Sequence, residues 1–329
     1  MRFSLREADR VLRELTLGSI REARRRIAPF VLRTPVLHRA RGTDCELLLK
    51  AESLQSTGAF KLRGAFNHML LLPKSCAGVV AHSSGNHAQA VARAARTLRL
   101  RAVIVMPSDA PELKRARAAA DGAEIVTVGT DSDERAQRAN EIARERALTL
   151  VPPYDHPLVA AGQGTAALEL LEDADTLDRF YAPVSGGGLM AGCAVAIHAL
   201  SPRTEIIAVE PADGNDTKLS LEAGERRKIA PPRSIADGLR VRTPGEQTWP
   251  VLQKHVARVE LVGDEELLDA MAWALRELRL VLEPSGAASL AVALREGRGR
   301  CGVLLSGGNP ESAHLQEAAR RAALGAKSD

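Results

Sequence analysis

Aromatic residues are scarce: five Phe, two Tyr and two Trp make up 3% of the 329 residues. Ala, Leu and Val must therefore fill the interior, and the scarcity argues against nucleic-acid binding by base stacking. Cysteine is equally sparse. Cys45, Cys76, Cys193 and Cys301 stand far apart with no C-x-x-C pair, which argues against a disulfide framework and a zinc site and leaves reduced, mostly buried thiols. No uninterrupted apolar run reaches the ~18 residues of a membrane-spanning helix, and the charged stretch 1–26 lacks the apolar core of a secretion signal. A soluble, cytoplasmic protein with no membrane or nucleic-acid partner is expected. Neither sign of charge dominates, the formal net charge being +4. The one dense basic run, Arg21 to Arg26, includes Glu22 and Ala23 and reads as a solvated helix face.

What is present is an alternation of short β-type runs with longer Ala-rich helical segments. The strand candidates are Glu46–Glu52, Gly78–His82, Arg101–Met106, Glu124–Val128, Phe180–Val184, Glu205–Val209 and Gly302–Leu305. Helices are expected over Asn86–Leu98, Pro111–Ala120, Ser132–Arg146, Thr165–Leu171, Glu265–Leu278 and Glu311–Ala323. This order implies an α/β fold of parallel sheets covered by helices. The length accommodates two domains, or one large unit with an inserted lobe. Three prolines between Leu150 and Pro157 mark a linker and a lobe boundary.

Several turns carry chemistry. Lys61 lies in Ser56-Thr-Gly-Ala-Phe-Lys-Leu-Arg-Gly-Ala65, where Phe60, Leu62 and Arg63 offer the apolar, cation-rich surroundings that lower a lysine pKa and make it a covalent cofactor anchor. Phe180–Val184 runs into Ser185-Gly186-Gly187-Gly188-Leu189 and a helix, presenting backbone N–H groups to a phosphate. The same segment, as Gly186-x-Gly188-x-x-Ala191 with Glu210 ending the next strand, also fits a dinucleotide fingerprint and an NAD-dependent oxidoreductase. On this segment alone the two possibilities compete evenly. Gly162-x-Gly164-x-x-Ala167 matches that pattern too but lacks a preceding strand, and is taken as a helix start. His82-Ser83-Ser84-Gly85-Asn86-His87 forms another helix N-terminus suited to a carboxylate, and Ser306-Gly-Gly-Asn309 closes a further strand. Three such turns and one shielded lysine point to a phosphate-bearing aldehyde cofactor, pyridoxal phosphate.

At this point the chain resembles a known family over nearly its whole length: the fold type II pyridoxal-phosphate enzymes, in the branch of threonine/serine dehydratases (ammonia-lyases) and serine racemases. The resemblance rests on Glu52 to Ala65, Ser83-Ser-Gly-Asn-His-Ala-Gln-Ala, Ala161-Gly-Gln-Gly-Thr, Pro183 to Leu189, Ala236-Asp-Gly, Glu283-Pro-Ser-Gly and Ser306-Gly-Gly-Asn. It implies a two-lobed, tryptophan-synthase-β-like architecture, with a large cofactor-binding domain (1–76 and 159–329), a small domain (77–158) and a homodimer.

It also implies roles. Lys61 would hold the cofactor aldehyde and then act as base at the substrate Cα. Phe60 and Asn86 would flank the ring and its hydroxyl, and Ser185 to Leu189 would cradle the phosphate, with Ser185 where the family usually has a fourth glycine. Ser306 would face the pyridine nitrogen. Ser83, Ser84, Asn86, His87 and Arg135 would meet the substrate, a small β-hydroxy amino acid. Glu210, the carbonyl of Gly214 and Asp216 would hold Mg²⁺ or another cation through oxygen ligands. Ser84 matches the racemases' second acid/base group on the face opposite the lysine, whereas the segment from Asp237, with Val241 where racemases tend to offer a hydroxyl, is closer to the dehydratases. The main activity expected is elimination from L-threonine or L-serine to a 2-oxo acid and ammonia, with serine racemisation or hydroxyaspartate dehydration as the alternatives.

Overall fold

The computed structural model describes residues 14–42, 44–83, 85–110 and 112–325. Among the described residues ten strands form two sheets. The larger has the order β1 (Val36–Arg41), β2 (Cys45–Lys50), β10 (Gly299–Leu304), β7 (Arg179–Pro183), β8 (Glu205–Pro211), β9 (Arg258–Val262). All its pairings are parallel except β1 with β2. The smaller is wholly parallel, in the order β5 (Glu124–Val128), β4 (Ala102–Pro107), β3 (Val79–His82), β6 (Thr149–Leu150). The three strands the sequence does not announce, β1, β6 and β9, are all edge strands. An edge strand carries polar and charged residues, as in Val36-Leu-His-Arg-Ala-Arg41, and lacks the continuous apolar run of a central parallel strand.

The described helices are α1 (Leu17–Ile27), α2 (Lys61–Met69), α3 (Asn86–Leu98), α4 (Glu112–Ala120), α5 (Ser132–Glu145), α6 (Pro157–Ala174), α7 (Gly188–Leu200), α8 (Asp216–Ala223), α9 (Trp249–His255), α10 (Asp264–Trp273), α11 (Pro284–Glu296) and α12 (Ser312–Gly325). Leu48, Phe180, Ala182, Ile206 and Leu304 pack against α1, α6, α7 and α9, while Leu47, Leu49, Tyr181, Ile207 and Val303 pack against α10 and α11. This period-two division covers both faces of the large sheet. The small sheet is enclosed in the same way, by α2, α3 and α4 on one face and α5 on the other.

Three local expectations change. The helix expected from Thr165 begins at Pro157, with the His156 side chain accepting the Leu158 N–H, so one of the three prolines opens a helix rather than breaking one. Gly162 and Gly164 therefore lie inside α6 and do not start it. A Cβ on Gly162 would stand 2.6 Å from the Arg63 carbonyl oxygen, and one on Gly164 would stand 2.5 Å from that of Gly192. Their spacing serves backbone-close packing of α6 on α2 and α7. The run Arg21–Arg26 is helical but not simply solvated: Arg24 pairs with Glu172 and Arg26 hydrogen-bonds Asn67. The four cysteines are free thiols, and among the described residues no helix is long and apolar enough to cross a membrane.

Candidate active site

Lys61 is the first residue of α2, at the end of a loop held in place by the turn after β10. The Phe60 N–H donates to the Ser306 carbonyl (3.1 Å), the Gly308 N–H to that of Gly58 (2.8 Å) and Asn309 Nδ2 to that of Thr57 (2.9 Å). Gly58 has φ +74°, and a Cβ there would lie 2.5 Å from Asn309 Oδ1, so both conformation and space require glycine. Lys61 Nζ donates to the Pro153 carbonyl at 2.8 Å and lies 5.1 Å from the Phe60 ring centroid. Burial pulls its pKa from 10.5 to about 8.

The glycine turn joins β7 to α7. Gly187 has φ +95° and caps the helix that Gly188 opens, so the first N–H groups of α7 have no partners within the helix. The Ser185 hydroxyl is buried and makes no hydrogen bond. A turn rich in donors with an orphaned buried hydroxyl fits an anion, and thus a cofactor phosphate. Glu210 does not fit the dinucleotide fingerprint. Its two carboxylate oxygens accept the N–H groups of Thr217 (2.9 Å) and Lys218 (3.0 Å), capping α8 instead of waiting for a ribose.

Asn86 opens α3 and connects the sheets. Its Nδ2 donates to Glu283 Oε1, and its Oδ1 accepts from Asn309 Nδ2 at 2.8 Å. Asn309 in turn accepts from Arg117 at 2.7 Å. Glu283 is fully buried, and desolvation, with Asp237 nearby, pushes its pKa up to about 7 against the opposing pull of Lys114. Sequence inspection found Glu283 only as part of a motif and gave it no role; its glutamate-proline helix start was the available signal. Ser306 is buried, with Oγ 3.4 Å from the Ser285 carbonyl.

Of the expected substrate residues, Ser83 accepts the Gly85 N–H at 3.1 Å, while Ser84 lies outside the described residues. His87 is buried with Nε2 3.0 Å from the Val151 carbonyl, and burial, then the Lys61 charge, lowers its pKa to about 3. It is neutral and bonded to backbone. Arg135, on α5, is half-buried. Its Nη1 donates to the Thr130 carbonyl at 2.7 Å and its Nε is buried without a partner. Burial, followed by the Arg135 charge, holds His82 at the end of β3 down to a pKa of about 4.

Asp216 is buried, and neither carboxylate oxygen has a partner. Its pKa is raised to about 8 by burial, then by Glu210. Among the described residues no cluster of three or more His, Cys, Asp or Glu side chains is arranged to hold a metal ion.

A family model described as pyridoxal-phosphate dependent enzyme matches residues 27–307. L-threo-3-hydroxyaspartate ammonia-lyase of Saccharomyces cerevisiae is 41% identical over 304 residues, covering 89% of this chain and 93% of that protein. Serine racemase of Schizosaccharomyces pombe is 39% identical over 303 residues, covering 89% and 94%. Among solved structures, the T.th. threonine deaminase superposes with a TM-score of 0.86 at 45% identity, covering 90% of this chain and 99% of that one.

Proposed function

The chain belongs to the pyridoxal-phosphate-dependent enzyme family, with the parallel-sheet lobes of fold type II, and from that premise we propose that it is an ammonia-lyase acting on a β-hydroxy amino acid, 3-hydroxyaspartate foremost. The expectation of L-threonine or L-serine as main substrate gives way to its alternative, because relatives named for hydroxyaspartate elimination and serine racemisation match the chain strongly. The observation that carries the choice is Arg135. A half-buried guanidinium whose buried Nε has no partner, and whose charge is felt by His82 next to Ser83, suits a second substrate carboxylate, which serine and threonine lack.

Bound pyridoxal phosphate supplies an electron-withdrawing ring that makes the substrate Cα–H acidic. Lys61 would hold its aldehyde and would then be the base for the Cα proton; burial, which lowers its pKa to about 8, favours the neutral amine that both roles need. Ser185, Gly186, Gly187, Gly188 and Leu189 would receive the phosphate, Phe60, Asn86 and Ser306 would border the ring, and Ser83 and Asn86 would receive the α-carboxylate. His87, bonded to Val151, supports the start of α3. For 3-hydroxyaspartate the net reaction would remove the Cα proton and the β-hydroxyl as one water and add one water back at the imine, giving oxaloacetate and ammonia. With Ser84 as a second proton-transfer group, serine would also be racemised. In Ser84→Ala, racemisation should collapse while elimination persists; equal loss of both would refute that assignment.

A cation at Glu210, Gly214 and Asp216 is part of the proposal, supported by the two orphaned Asp216 oxygens. Domains at 1–76 with 159–329 and at 77–158 are likewise supported by the separate sheets, and a homodimer completes it. The deciding experiment compares kcat/KM for 3-hydroxyaspartate and L-serine in wild type and Arg135→Gln. Loss of a charge-assisted carboxylate contact should lower the first by about 30-fold or more and leave the second within about threefold. Equal losses, or no oxaloacetate from wild type, would overturn the assignment.

A further inference from the structure

The segment 153–156, which the sequence presents as a linker, touches both ends of the cofactor site. The Pro153 carbonyl accepts from Lys61 Nζ. Tyr154 packs on the glycine turn so closely that a Cβ on Gly186 would lie 2.2 Å from its ring. Both Asp155 oxygens bind the loop that leads into α9: Oδ2 accepts the Glu246 N–H (2.9 Å), and Oδ1 accepts those of Gln247 (2.8 Å) and Thr248 (3.2 Å). A Cβ on Gly245 would stand 2.4 Å from Asp155 Oδ1, so glycine is required for this approach.

The loop that Asp155 holds grips one peptide of the turn. The Gly186 carbonyl accepts from the Gly245 N–H at 3.1 Å and from Thr248 Oγ1 at 2.7 Å. No peptide bond in the described chain is cis, and in a trans peptide the N–H points opposite to the carbonyl. Two donors on the Gly186 carbonyl therefore fix the Gly187 N–H to point away from Gly245 and Thr248. Thr248 also closes the outer side, since a Cβ on Gly187 would meet its Oγ1 at 2.7 Å.

We propose that Asp155 and Thr248 are positioning residues for the cofactor phosphate, which orient the Ser185–Leu189 turn by pinning the Gly186–Gly187 peptide. Asp155 acts through the 245–248 loop and Thr248 acts directly on the Gly186 carbonyl. The proposal rests on the assignment of Ser185–Leu189 as the phosphate cradle. A residue that only supported the fold would weaken all cofactor binding alike, whereas these two act on the phosphate alone.

The test reconstitutes the full-length protein with pyridoxal phosphate and, separately, with pyridoxal, which keeps the aldehyde but lacks the phosphate, and reads each Kd from the visible absorption band. Thr248→Val and Asp155→Asn should each cut the preference for pyridoxal phosphate over pyridoxal by about tenfold or more, as expected for loss of an oriented hydrogen bond. Pyridoxal binding should stay within about threefold, and Thr248→Ser, which keeps the hydroxyl, should restore the preference. An unchanged preference, or equal weakening of both ligands, overturns the proposal. A wild type that shows no preference for the phosphorylated ligand removes the cradle assignment itself, a failure visible before any substitution is made.

Discussion

Lys61 and Glu283 show how burial, not sequence neighbours, sets the state of a side chain. With the Lys61 pKa lowered to about 8, acylation of that lysine in cofactor-free protein should rise roughly tenfold per pH unit up to about pH 8 and then level off. Mass-spectrometric labelling checks this, and a tenfold rise continuing from pH 8 to 9 would contradict it. Glu283 moves the opposite way, from 4.5 to about 7, through burial and Asp237, with Lys114 opposing and Asn86 donating to it. Between those values the folded chain keeps a proton that the unfolded chain has released, so stability falls as pH rises through the window. Wild type should therefore lose stability relative to Glu283→Gln between about pH 5 and pH 7 in urea titrations, and a constant difference would exclude this role. Lys61 was legible because its loop has a distinctive pattern. Glu283 and Asp155 were not, since their partners lie 197 and about 90 positions away.

At the scale of elements, the glycines of α6 carry the lesson. Gly162 and Gly164 mimic a nucleotide-binding pattern, yet they exist so that α6 can touch α2 and α7 backbone to backbone. Gly164→Ala should force the helices apart and cost about 1–3 kcal/mol of unfolding free energy; an unchanged urea midpoint would show that the contact relaxes freely. Central strands and their following helices were readable because burial on both faces leaves an unbroken apolar run. The edge strands β1, β6 and β9 were not, although the edge strand β5 was, and the helix expected over Glu265–Leu278 ends as α10 followed by a wider turn at Ala274–Leu278, stopped by Arg279 at φ +59°.

At the scale of the whole molecule, a buried ionic cluster ties the Lys61 helix to the large lobe. The Arg63 guanidinium donates to Glu52 at 2.7 and 2.8 Å, to Glu169 at 2.8 Å and to Thr165 at 3.0 Å, and Lys50 completes the charge balance by donating to Glu169 at 2.7 Å. Arg63→Met would strand the Glu52 carboxylate in the core and leave Glu169 with Lys50 alone, and should cost about 3–5 kcal/mol in denaturant unfolding. A loss under about 1 kcal/mol would mean that water reaches the cluster. Across the lobes, Asn86 with Glu283, Lys114 with Asp237 and Arg117 with Asn309 join the small sheet's helices to the large sheet's loops. The amino-acid sequence by itself determined the α/β class, the glycine turns and the lysine, because strand burial, helix starts and close backbone approach are local demands that leave local patterns. Only the tertiary structure decided that the proline segment is a strap behind the glycine turn after β7 and that Glu210 caps a helix. Each of those depends on a partner brought close by the fold, and no spacing along the chain encodes that distance.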